Sequence, residues 1–282
     1  MRYRLERRDG IRGVPQWALV GGTAFHECIR EWETEAASPI GTRTAGRTPD
    51  EQAERFGYHF ANATAETQLA NLDHPLATWR ASGRSSAAYP NKEDRGWWLD
   101  KGPEMVAQYV QAQEGREYEI LRLDAEALAL EWGFMLRLDG LPPVKGFIDQ
   151  VLYFPRTDAV IVRDLKSGAQ IPQDQLQVKV YSLALRRCFG IDPPKMWGDY
   201  WDARKGVATK GVDLSDVARV EAEVRYRVAA MDTAETLNLY PPNPSNLCSS
   251  CGVRKHCPAM SDEPTASWSG SRPALDAPVT RD

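Results

Sequence analysis

Gly146-Phe147-Ile148-Asp149, answered by Val162-Arg163-Asp164-Leu165-Lys166, is the stretch on which the fold turns. The run from about Lys145 to Phe154 is apolar and rich in Val, Ile and aromatics, and Ala159 to Leu165 repeats that pattern. Both read as strands of a buried or half-buried sheet, with Pro155-Arg156-Thr157-Asp158 as the turn between them. Each strand carries an acid where a core strand should hold none: Asp149 follows Phe147-Ile148, and Asp164 follows Val160-Ile161-Val162-Arg163. A carboxylate among apolar neighbours costs free energy unless it is paired or binds a cation. Side chains alternate along a strand, so Asp164 and Lys166 share a face, and a hairpin brings Asp149 beside Asp164. Oxygen ligands of this kind suit Mg2+ or Mn2+. Such a cation activates water and stabilises charge on a phosphate oxygen, while Lys166 can orient or deprotonate that water or neutralise the phosphate. The bland reading of the same residues is two strand-ending acids, one of them paired with Lys166.

Working outward, the sheet is expected to begin near Tyr118–Leu121 and to continue from about Leu130 to Leu138. Glu131 lies on the opposite face from Leu130 and Trp132 and is a possible extra acid. Asp139-Gly140 is a hairpin signal that feeds the Asp149 strand. Downstream, a helix from about Gln173 to Phe189 carries Gln177 and Tyr181 one turn apart and stops at Gly190. A strand from Met196 to Trp201 and a long helix from about Leu214 to Leu237 follow. Upstream, Gly21-Gly22 is expected to break an apolar run, with Thr23 capping a helix that reaches about Ala37 and holds His26 in its first turn. Residues 38–115 read as a helical insertion, with helices from Asp50 to about Leu72 and from Trp97 to Gln113.

The chain has 282 residues, a formal net charge of -4 and 42% hydrophobic residues, the profile of a globular protein with no global basic field. Nucleic-acid binding would need a local patch; Arg163, Arg186, Arg187, Arg204 and Lys205 are candidates by their nearness to the Asp149–Asp164 strands. No apolar run approaches the ~18–20 residues of a membrane span, and the chain reads as cytoplasmic. Residues 1–260 are expected to form one domain, and 261–282, rich in Ser, Pro, Asp and Ala, a disordered tail.

The order of motifs is Gly22-Thr23-Ala24-Phe25-His26, Gly146-x-x-Asp149, Asp164-Leu165-Lys166, Gln177-x-x-x-Tyr181 and Cys248-x2-Cys251-x5-Cys257-Pro258. It resembles the RecB-like branch of the PD-(D/E)xK nuclease superfamily, and within it the CRISPR-associated iron–sulfur exonucleases and their bacteriophage relatives. The resemblance implies an α/β, restriction-endonuclease-like fold: a central mixed sheet flanked by helices, here with the helical insertion and a C-terminal Cys cluster. It implies Mn2+ or Mg2+ bound by His26, Asp149, Asp164 and the backbone carbonyl of Leu165, with Lys166 positioning the attacking water. Gln177 and Tyr181 would orient the site and touch the DNA strand. Members cut DNA, commonly single strands from an end, in recombination, repair or spacer acquisition. No helicase motor is visible here, so an unwinding or recombination partner would be a separate chain.

Cys248, Cys251 and Cys257 supply three thiolates within ten residues, whereas a zinc or iron–sulfur site normally takes four ligands. The resemblance favours a [4Fe–4S] cluster, with Zn2+ as the alternative, and places the fourth cysteine near the N-terminus. No cysteine precedes Thr23, so a piece upstream of Met1 is expected to hold it; otherwise Cys28, Cys188 or His256 must serve, and Cys28, on the N-terminal helix, ranks first. Competing with an active nuclease are a nuclease-like module that binds nucleic acid without cutting it, and a zinc-stabilised structural protein.

Overall fold

The computed structural model describes residues 4–11, 13–37, 47–83, 87, 92–123, 127–242, 244, 248 and 251–260. They fall into two compact units, Pro15–Leu239 and Met1–Val14 with Tyr240–Asp282. The expected tail, 261–282, lies outside the described residues.

The larger unit opens with helix α1, Trp17–Ala36. Gly21-Gly22 does not break it. A Cβ at Gly21 would lie 2.1 Å from the Trp98 ring, so glycine here serves helix packing rather than chain reversal, and Thr23 is an exposed residue inside α1 rather than its cap. Helix α2, Pro49–Ala70, starts at a capping box in which Thr48 and Glu51 exchange hydrogen bonds. Helix α3, Arg95–Gln111, is capped by Asp94. These three helices form one layer around Phe25, Ile29, Trp32, Phe56, Trp98 and Tyr109, and Leu165 and Trp201 of the sheet join the same core. The expected insertion is thus a supporting wall of the sheet.

The strands are β1 (Glu119–Ile120), β2 (Leu130–Leu136), β3 (Val144–Phe154), β4 (Ala159–Lys166), β5 (Lys195–Asp202), β6 (Val207–Ala208) and β7 (Val212–Asp213). Their order is β1-β3-β4-β5-β6, with β2 also on β3 and β7 also on β5. The β3–β4 hairpin is antiparallel and β4–β5 parallel, so the sheet is mixed. A parallel pair needs a crossover; helix α4, Leu176–Phe189, lies between β4 and β5 in the chain and ends at Gly190, whose φ is 70°. Helix α5, Val217–Thr236, follows the sheet. Residues of α4 and α5 form a second core with Phe134, Ile148, Val160, Val162 and Met196, so the sheet has an apolar core on each face.

One buried polar chain sets the spacing between α1 and β3. Fully buried Glu33 accepts from Tyr109 Oη (2.6 Å) and Arg116 Nη1 (2.7 Å), and Gln150 Nε2 donates to Tyr109 Oη (2.7 Å). Glu33 stands two helical turns beyond His26, and Gln150 directly follows Asp149.

In the smaller unit a five-residue π turn, Arg4–Arg8, carries buried Leu5. Arg8 Nη1 donates to Tyr240 Oη at 3.4 Å. Gly13 lies against Gly252, where an added Cβ would stand 3.3 Å from its Cα, so the N-terminal segment packs on the cysteine segment.

Candidate metal and catalytic site

The site forms where α1 meets the β2, β3 and β4 ends. The register pairs Gln150 with Arg163, so the next position brings Asp149 to Asp164, as expected of the hairpin. The Asp149 carboxylate is nearly buried; its Oδ2 accepts the Leu165 N–H at 2.7 Å, and its Oδ1 lies 3.4 Å from Tyr181 Oη. Tyr181 Oη also donates to Asp164 Oδ1 at 3.2 Å. Lys166 Nζ stands 2.6 Å from Asp164 Oδ2, an ion pair off the line of a hydrogen bond, and donates to Gln177 Oε1 at 2.9 Å. Gln177 Nε2 in turn donates to Tyr181 Oη at 2.9 Å. One turn of α4 therefore holds Lys166 and both aspartates in a closed ring of contacts.

His26 reaches the same place from α1. Its Nε2 lies 3.1 Å from the Leu165 carbonyl oxygen, its Nδ1 2.8 Å from Glu131 Oε1 and 3.8 Å from Asp149 Oδ2. His26, Glu131 and Asp149 each offer a ligand atom, all within 4.8 Å of one another. Glu131 is the member that sequence reasoning left outside the ligand set. Strand alternation offers it only as an extra acid; its place between the partners of Gln150 and Ile148 sets it across from Asp149. Its backbone φ is 45°, a left-handed conformation that non-glycine residues hold only under constraint, at a cost of about 1–3 kcal/mol.

The electrostatics follow from crowding acids in a buried place. Burial pulls the His26 pKa down, but the Glu131 hydrogen bond and the charges of Asp149 and Asp164 more than offset it and raise it to about 9. Burial pushes Asp149 up to about 7, against the pull of His26 and with the help of Asp164 and Glu131. Burial also raises Asp164, although Lys166 opposes it. One imidazole, carboxylates and a backbone carbonyl are the donor set of Mg2+ or Mn2+, and the 3.1 Å between His26 Nε2 and the Leu165 oxygen matches two neighbouring ligands of an octahedral ion about 2.1 Å away. The residues fit the ion.

Each basic residue expected at the nucleic acid is paired with a carboxylate, while Arg187 and Lys205 keep side chains 54% and 73% exposed. Arg163 is buried and paired with Asp199 through two contacts of 2.8 and 2.7 Å, so it is a core residue. The Arg186 side chain is likewise mostly buried and pairs with Asp192, Arg187 pairs with Glu221, Arg204 with Glu93 and Lys205 with Asp202.

Cys28 is fully buried in the α1–α3 core, where burial and the nearby Glu31 push its thiol up to about 12. Cys248, Cys251 and Cys257 belong to the smaller unit and are partly exposed, in successive turns: Cys251 N to Cys248 O at 3.3 Å, Arg254 N to Cys251 O at 3.2 Å, Cys257 N to Arg254 O at 3.1 Å.

The profile of the PD-(D/E)XK nuclease superfamily matches residues 1–258. The chain belongs to the PD-(D/E)XK nuclease superfamily. Among similar proteins, the gene 69 protein of Mycobacterium phage L5 is 35% identical over 92% of this chain and 91% of its own length. The gene 69 protein of Mycobacterium phage D29 is 29% identical over 92% of each chain. No helix among the described residues is long and apolar enough to cross a membrane.

Proposed function

We propose that this PD-(D/E)XK member is a Mn2+- or Mg2+-dependent deoxyribonuclease of the RecB-like kind, acting on single-stranded or end-containing DNA as an exonuclease in recombination, repair or CRISPR adaptation. The observation that carries the reading is Lys166 Nζ held between Asp164 Oδ2 and Gln177 Oε1, beside the cluster of His26, Glu131 and Asp149. A divalent ion there supplies positive charge to the phosphate and lowers the pKa of a water. His26, Asp149, Asp164 and the Leu165 carbonyl would hold the ion. Lys166 orients the attacking water or moves its proton, and Gln177 fixes the Lys166 amine while sharing Tyr181 with the acid pair. Glu131 holds the His26 ring through Nδ1.

For the smaller unit, the spacing of Cys248, Cys251 and Cys257 supports a [4Fe–4S] cluster, with Zn2+ as the alternative. The packing of Gly13 on Gly252 supports its role as a staple between the N-terminal and C-terminal segments. Cys28 can act as fourth ligand only if its buried thiol is freed from the α1–α3 core. Iron content and visible absorbance of anaerobically purified protein separate iron–sulfur from zinc.

The deciding assay uses end-labelled single- and double-stranded DNA with Mn2+ or Mg2+, comparing wild type with Lys166→Ala. Cleavage that needs the metal and falls about 100-fold or more in the variant supports the reading, and the label's release gives the direction of attack. Equal cleavage by both points to another site. No cleavage by either, with DNA binding indifferent to Asp149→Ala, favours a binding module.

A further inference from the structure

We propose that the outer face of the β2–β3 ribbon is a track for a single nucleic-acid strand, with Phe147 stacking an unpaired base next to the scissile phosphate. The inference rests on the nuclease reading and adds a path and a strand preference to it. Register places Gly133 opposite Phe147 and Met135 opposite Lys145, and the position before Gly133 on the same face is Glu131, across from Asp149. One face of the ribbon therefore runs from the ligand set through Phe147 to Lys145 and Arg137. Along that run, Gly133, Met135, Arg137, Lys145 and Phe147 are all exposed, while Phe134, Leu136 and Ile148 on the other side are buried. A buried carboxylate pair thus gives way, within about 13 Å, to an open face.

Phe147 is 55% exposed although it lies two residues from a core aspartate. Its ring leans over Gly133, where an added Cβ would stand 3.3 Å from a ring carbon, so glycine leaves room for the ring to lie against the strand. Leaving an aromatic ring in water two residues from the site has a ready use, since every base has a face to stack on it. Only an unpaired base can do so; a duplex keeps its bases inside. Beyond it, Lys145 and Arg137 supply positive charge. Neither is paired with a carboxylate among the described residues, in contrast to Arg163, Arg186, Arg187, Arg204 and Lys205. Charge complementarity and continuity with the ligand set both point to the same occupant, a polyanion with exposed bases.

The test is equilibrium binding of a fluorescent oligo-dT in a Lys166→Ala background with Mn2+, read by anisotropy. Phe147→Ala should weaken binding by about 5- to 100-fold, and Phe147→Trp should restore it to within about twofold. Lys145→Ala and Arg137→Ala should each lower the salt slope by about 0.7, and duplex binding should not respond to Phe147→Ala. Unchanged single-strand affinity in Phe147→Ala overturns the proposal, as does a parent that binds no single strand. A Phe147-dependent dimer without nucleic acid, seen by sedimentation, also overturns it, because a second copy would then cover this face. Failure of the nuclease reading shows separately, in the cleavage assay on wild type.

Discussion

Replacing Asp149 by Asn should stabilise the metal-free protein and abolish its stabilisation by divalent metal. The Asp149 pKa is raised from 3.8 to about 7, chiefly by burial and by Asp164, so folding takes up a proton here between those values. The sign follows: this group costs nothing below about pH 3.8, and stability is lost as pH rises through about 7. At pH 8 the cost approaches (7 − 3.8) × 1.36, about 4 kcal/mol, and at pH 5 it is under about 2 kcal/mol. The value of about 7 already includes the attraction to His26, 3.8 Å away; burying an amide whose N–H groups lack full partners offsets part of the gain, leaving about 1–3 kcal/mol for Asn at pH 8. The amide oxygen can still accept the Leu165 N–H, so the backbone of β4 keeps its partner. For a unit of this size the gain is about 3–9 °C in melting temperature in EDTA, shrinking toward pH 5. Wild type should recover about 2.7 kcal/mol at a Mn2+ concentration 100 times its Kd, and the variant should recover little. Thermal melts at pH 5 and 8, with EDTA and with Mn2+, read all four quantities. A variant less stable than wild type in EDTA, or one equally stabilised by Mn2+, would refute the assignment of Asp149 as a buried, metal-directed carboxylate.

Metal affinity should rise with pH, because the His26 proton, held to about 9, must leave before Nε2 can bind; calorimetry between pH 6 and 8 in buffers of different ionisation enthalpy should show proton release, and a flat profile would remove His26 from the ligand set. Gly21→Ala should cost about 1–3 kcal/mol or more in urea unfolding, since its methyl would sit 2.1 Å from the Trp98 ring in a packed core; a neutral result would mean that α1 and α3 can separate freely. Hydrogen bonds from Arg55 and His59 and the Arg47 charge overcome burial and hold Glu31 at about 2, below its usual 4.5, so its contribution is full above pH 4.5 and is lost as pH falls through about 2. Solvent and salt screen these partly exposed partners, so wild type should lose about 1 kcal/mol more than Glu31→Gln between pH 5 and pH 3, measured by urea midpoints. Tyr109→Phe, which leaves Gln150 Nε2 without its acceptor, should cost about 1–3 kcal/mol and weaken Mn2+ binding through β3, whereas a purely local loss would leave the metal Kd unchanged.

The β3–β4 hairpin was legible because two signals agree there: an apolar strand pattern interrupted by acids, and a four-residue turn, Pro155–Asp158, at the expected place. Gln177 and Tyr181 were legible as one helical turn, and their partners Lys166 and Asp164 followed from strand alternation. What escaped depends on tertiary neighbours. Gly21-Gly22 looks like a chain break in one dimension, and only the Trp98 ring shows why glycine is wanted inside a helix. Glu131 reads from strand alternation as an extra acid, but its partners show only when the register sets it across from Asp149 and His26 arrives from α1. Arg163 reads as a surface cation by charge, yet its carboxylate partner Asp199 lies on the neighbouring parallel strand, a pairing no local pattern encodes.

The contacts of His26 span 105 residues to Glu131 and 139 to Leu165. Contacts that close such long loops come late, after local helices and hairpins have formed. During synthesis, then, α1 leaves the ribosome long before the strands that complete its chemistry. A stalled chain, or one clipped anywhere between α1 and β4 and separated, holds no assembled ligand set. The site is thereby tied to completing β4, and no product that stops before it holds the cluster.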